Sequence, residues 1–157
     1  MRTLLLLSVM AFALIAHTHD ARAQDFEMKD ATYSAFAKGL FTEVTTTTGP
    51  TKFIFVAGIG AENEDGSIAH QGNFLAQCVM AYEKIKAFLA ANGATLDNIV
   101  KGTTYVTDIR YFGDLIKCRN QVFPSARRAP GTLLQVSGFA RPGMLIEVDV
   151  TAAVAAK

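Results

Sequence analysis

Apolar residues recur along the chain with two different periods, and the changes of period mark out its elements. From about Asn73 to Asn92, the residues Leu75, Cys78, Tyr82, Ile85 and Leu89 return at intervals of three and four, which places them on one side of a helix. Glu83, Lys84 and Lys86 take the other side, and Gly93 stands where a left-handed C-terminal cap belongs. A second helical pattern puts Phe112, Leu115, Arg119 and Val122 on one face, with Asp108 as its cap and Pro124 as its stop. Alternating or continuous apolar runs predict strands at Phe53 to Val56, Val100 to Thr107, Thr132 to Val136 and Met144 to Val150. Phe36 to Thr47, rich in aromatic and β-branched residues, reads as a hairpin-like region broken by Gly49-Pro50. Residues 24 to 34 have mixed polarity and read as a loosely held lead-in. Strand, strand, helix, strand, helix, strand, strand is the order of an α/β domain with two helices on one face of a mixed sheet. The other face still carries apolar residues, and a partner subunit is the economical way to cover it.

The N-terminus follows a different rule. Arg2 is followed by an uncharged apolar run from Leu4 to Ala16, and Ala21-Arg22-Ala23 has the small-residue pattern of a signal-peptidase site. A run of about 13 residues is too short for a helix to span a bilayer core of roughly 30 Å. Residues 1–23 are therefore expected to be a signal peptide, leaving a single domain of residues 24–157 in the periplasm or secreted, with no membrane attachment. Loss of Arg2, Arg22 and Asp20 takes the 15 basic and 14 acidic residues to 13 of each, and leaves His70 as the only histidine. A histidine metal cluster is thereby excluded. Zero net charge also argues against a general nucleic-acid binder, whose affinity rests on neutralising phosphates.

Two cysteines, Cys78 and Cys118, complete the inventory. An even count in an oxidising compartment permits a disulfide. Both also fall at apolar positions of helical patterns, where free cysteine serves as a small buried hydrophobe. The absence of a C-x-x-C motif gives no support to thiol redox chemistry.

Several segments together resemble the reactive-intermediate deaminase (Rid, or YjgF-type) family. Phe55-Val-Ala-Gly-Ile59 is similar to its V-S-G-Q strand, and the acidic turn through Gly66 and the helix carrying Gln77 follow at the family's spacing. Ala91-Asn-Gly-Ala94 and Leu96-Asp-Asn-Ile-Val-Lys101 resemble its A-G-x-L-x-D-V-V-K segment. Tyr105-Val-Thr-Asp-Ile109 with Phe112 resembles F-V-x-D-M-x-x-F, and the stretch Leu134 to Val150 resembles its closing hairpin. The likeness runs over about residues 33 to 152. It implies a chorismate-mutase-like two-layer fold, a homotrimer with ligand clefts between subunits, and hydrolysis of small enamines or imines without a metal or organic cofactor.

The implied site departs from the family pattern. The arginine of the P-A-R-[ST] motif, which would hold a substrate carboxylate as a bidentate fork, falls on Gly131 when the chains are aligned on Thr132. The family's strand serine, helix asparagine and following cysteine fall on Ala57, Ile116 and Leu133. Retained are Tyr33 as an entrance tyrosine, Gly58 as a point of close backbone approach, and Glu147 in the last strand, where a carboxylate among apolar neighbours suits proton transfer. Arg128 is the candidate replacement guanidinium. It lies three residues before Gly131, about 10 Å away along an extended chain, so Ala129-Pro130 must fold back to deliver it; Arg127 and Arg128 otherwise solvate a loop. Two functions compete for a small-molecule ligand: imine or enamine hydrolysis with Glu147 and Arg128 catalytic and Tyr33, Gly58 and Gly131 lining the cleft, or metabolite binding without efficient turnover. A ribonuclease is disfavoured, since the chain has no His pair and no basic-aromatic stripe.

Overall fold

The computed structural model describes residues 24–123, 125 and 127–157; the expected signal peptide and Pro124 lie outside these residues. The long helix forms where the periodicity places it. In α1 (Phe74–Ala91) the Asn73 side chain accepts the Ala76 N–H at 3.1 Å as its N-cap. At the other end Gly93 has φ +79°, its N–H bonds to the Ala90 carbonyl, and the Ala94 N–H bonds to that of Leu89. This is a Schellman closure, and only a residue without a Cβ takes that backbone angle cheaply. The buried side of α1 carries Cys78, Ala81, Tyr82, Ile85 and Leu89.

Asp108 caps a single 3-10 turn, Ile109–Tyr111, from which α2 (Phe112–Val122) continues. Its buried residues are Leu115, Cys118 and Val122. Phe112, expected on that face, is exposed instead, at the first position of the helix. Of the two readings of the cysteines, the bonded one holds: Cys78 of α1 and Cys118 of α2 form a disulfide with Cα atoms 6.2 Å apart, both fully buried. Apolar position and disulfide are compatible here because each sulfur faces the opposing helix.

The main sheet contains β3 (Thr51–Ile59), β4 (Ile99–Val106), β5 (Gly131–Gln135) and β6 (Ile146–Ala155) in the order β3-β6-β4-β5. β6 runs antiparallel to both β3 and β4, while β5 runs parallel to β4, with α2 as the crossover that parallel neighbours require. Both helices cover one face. Ile146, Val148, Val150 and Ala152 alternate along β6 and bury there against Ile85 and Leu89 of α1. This arrangement is the expected mixed α/β fold. The other face stays open, with Phe53, Phe55 and Leu134 exposed, Phe55 at 79%.

The segment before β3 corrects the sequence reading. Residues 27–31 are not a loose lead-in: β1 (Glu27–Ala31) pairs antiparallel with β2 (Val44–Thr48), so the hairpin expected at Phe36 to Thr47 starts earlier, with Val44 to Thr47 in its second strand and the aromatic stretch in its loop. Glu27–Ala31 has no apolar alternation to announce a strand. Its order comes from distant partners, Thr45 Oγ1 donating to Asp30 at 2.6 Å and Arg127 gripping the same carboxylate.

Candidate functional site

Glu147 sits in β6 between Ile146 and Val148, which are buried against the helices, so its side chain emerges on the open face of the sheet. Asp149 emerges beside it, and Tyr105 lies opposite it in register. The neighbouring strand β3 bulges between Val56 and Ile59, inserting one extra residue. The bulge brings Gly58 against the carboxylate: a Cβ added at Gly58 would lie 2.1 Å from Glu147 Oε1. A side chain at position 58 would therefore displace the carboxyl. The carboxyl is held above its ordinary range by burial, reinforced by the negative charges of Glu62 and Asp149. Lys84 is committed to Glu62 at 3.4 Å and to the Gly60 carbonyl at 3.1 Å. Among the described residues no cation pairs with Glu147.

The other sequence-derived candidates lie elsewhere. Tyr33 is 81% exposed in the β1–β2 loop, its N–H donating to the Glu43 carboxylate at 2.5 Å. Phe36, Leu40 and Phe41 share that loop and are exposed as well. Gly131 opens β5 and pairs with Gly102, which pairs in turn with inward-facing Val150. Gly131 therefore faces the helix layer, on the side of the sheet opposite Glu147. Within one chain the structure brings Gly58 and Glu147 together and leaves Tyr33, Gly131 and Arg128 apart from them.

Arg128 is engaged where it stands. Its Nη1 donates to the carbonyls of Ser125 and Arg127, both at 3.0 Å, and its Nη2 to Asn120 Oδ1 at 2.7 Å. These bonds fasten the loop to the end of α2. Arg127, read from the sequence as a solvated loop residue, is instead a clamp. Its Nε and Nη2 take both oxygens of Asp30 at 2.6 and 2.8 Å, and its Nη1 donates to the carbonyls of Asp97 and Ile99. Burial alone would raise Asp30, but Arg127 and Thr45 outweigh it and hold the carboxyl below its ordinary value. A doublet of arginines carries no local sign of which one clamps and which one folds back, so only the distant carboxylate distinguishes them.

No group of three or more His, Cys, Asp or Glu side chains among the described residues is placed to hold a metal ion, and no helix among them is long and apolar enough to cross a membrane. The chemistry on offer at the open face is that of two partly buried carboxyls, Glu147 and Asp149, the first beside the bare backbone of Gly58, with Phe53, Phe55, Tyr105 and Leu134 on the same face.

Comparison with known proteins agrees with this architecture. The family described as Endoribonuclease L-PSP matches residues 32–154. A RutC family protein of Pyrococcus abyssi is 34% identical over 101 residues, covering 64% of this chain and 77% of its own length. The RutC family protein YjgH of Escherichia coli is 31% identical over 100 residues, covering 63% and 73%. Among solved structures, the Rid family protein YyfB of Yersinia pestis superimposes with a TM-score of 0.70 over 83% of this chain and all of that one, at 22% identity. RidA of the Antarctic bacterium Psychrobacter does so at 0.59, over 83% and 99%, at 21% identity. These two likenesses establish the fold. With the family match spanning nearly the whole described domain, the chain belongs to the Endoribonuclease L-PSP family, the Rid or YjgF-type proteins.

Proposed function

We propose that this protein is an exported, Rid-type hydrolase of small C=N compounds, imines or enamines, working as a homotrimer with its ligand between subunits and without metal or organic cofactor. The observation that carries the reading is Gly58 set against Glu147. A carboxyl whose pKa is raised beside bare backbone can be protonated at the start of a cycle and ionised later, which proton transfer requires. Water adds to the imine carbon while Glu147 gives its proton to the imine nitrogen. The adduct then returns a proton to Glu147 as the C–N bond breaks, leaving a carbonyl compound and ammonia. The open face, with Phe53, Phe55, Tyr105 and Leu134, supports the trimer, since an apolar face of this kind marks an association surface. The buried disulfide supports export to an oxidising compartment, the periplasm or beyond.

The test is direct. An amino-acid oxidase generates 2-imino acids, semicarbazide traps them, and the purified domain of residues 24–157 is added. Trapping should fall, and Glu147→Gln should lower the hydrolysis rate by about 100-fold or more. If trapping stays unchanged while a RidA control suppresses it, hydrolysis of these substrates is ruled out. One observation favours a second reading, a metabolite-binding trimer without turnover: Gly131 has no side chain to hold a carboxylate, and Arg128 is tied to Asn120. Thermal stabilisation by small metabolites, with trapping unaffected, is the signature of that alternative.

A further inference from the structure

Beneath the paired glycines Gly102 and Gly131, between the sheet and α2, lies a cavity of about 30 Å³. Tyr82, Thr104, Arg119 and Phe123 line it with the two glycines. Arg119 Nε is buried and has no hydrogen-bond acceptor, and among the described residues no carboxylate forms an ion pair with this guanidinium. A second cation stands close. The guanidinium carbons of Arg119 and Arg128 lie 5.5 and 5.7 Å from the centroid of the same Phe123 ring. Arg128 titrates below its ordinary value, first through burial and then through repulsion by Arg119. Two neighbouring cations, one with an idle buried donor, are unfavourable unless negative charge joins them. The ring faces offset part of that cost but supply no hydrogen-bond acceptor for Nε. The volume has room for one or two water-sized guests.

We propose that this cavity binds one small monovalent anion, a halide or the head of a carboxylate, accepting a hydrogen bond from Arg119 Nε. The guest ties the end of α2 to the edge strand β5 where glycine leaves both strands bare. The site stands apart from the hydrolase reading, because it lies on the opposite side of the sheet from Glu147 and its detection needs no turnover.

Melting of the purified domain is followed while chloride, bromide, formate or acetate replaces gluconate, too large for the cavity, at constant sodium concentration. Binding should raise the midpoint saturably, by roughly 4 °C at ten times the dissociation constant. A response to halides alone assigns a halide site, whereas an equal response to formate and acetate assigns a carboxylate-head site. Arg119→Gln should abolish the response. Gly102→Ala should abolish it too while folding normally, since the added Cβ fills the cavity and meets nothing nearer than 3.4 Å. Bromide in a crystal should give its anomalous signal beside Arg119 Nε. The proposal fails if no anion produces a saturable shift, or if folded Arg119→Gln and Gly102→Ala both retain it.

Discussion

Reducing the Cys78–Cys118 bond perturbs the fold at its centre, and its magnitude follows from the structure. The two cysteines are 40 residues apart, so the bond removes the closure entropy of a 40-residue loop from the unfolded chain. That amounts to about 13 cal/mol/K, or about 4 kcal/mol at 25 °C. For a domain of this size 1 kcal/mol corresponds to roughly 3 °C, so the reduced protein should melt about 10–15 °C lower. Both sulfurs are fully buried between α1 and α2, so reductant should act slowly on the native protein. The reduced form is therefore made by unfolding in reductant and refolding, with thiols counted. Calorimetric melts of the two forms give the difference directly, and Cys78→Ala/Cys118→Ala serves as a control that reductant should not shift. A reduced protein with two titrated thiols that melts within about 3 °C of the oxidised one would refute the argument. The bond would then be a packing contact that happens to be oxidised.

Two further outcomes follow from the geometry. Gly58→Ala would place a Cβ 2.1 Å from Glu147 Oε1, forcing the carboxyl away by more than 1 Å. Activity should fall by about 100-fold with little change in melting, and unchanged kcat in a folded variant would dissociate Glu147 from the reaction. Arg127→Ala should cost about 2 kcal/mol by releasing Asp30 and two backbone carbonyls, measured by urea unfolding at pH 7. The Asp30 carboxyl is lowered in the folded protein, so its share is fully present above its unfolded-state pKa and is lost as pH falls through the folded-state value, below 3.8. The gap between wild type and variant should therefore narrow in acid; a gap that widens there would contradict the clamp.

Local order was written in the chain itself. Asn73, the three- and four-residue recurrence through Leu89, and Gly93 define α1 because capping and amphipathicity act over a few neighbours. The alternation in β6 likewise puts Glu147 on the face away from Ile146 and Val148, as strand geometry demands. The tight backbone at Gly58 was legible as a glycine, but the carboxylate packed against it was not, since Glu147 lies far off in sequence. Tertiary structure alone decided the rest. It paired the unpatterned strand Glu27–Ala31 with β2 and gave Asp30 to Arg127 rather than Arg128. It joined two cysteines that also suited a plain apolar core, and turned Gly131 toward the helices with Arg119 beneath it. Each of these depends on which distant group arrives at a given place, and that is set by packing the whole sheet against both helices, beyond the reach of any local pattern.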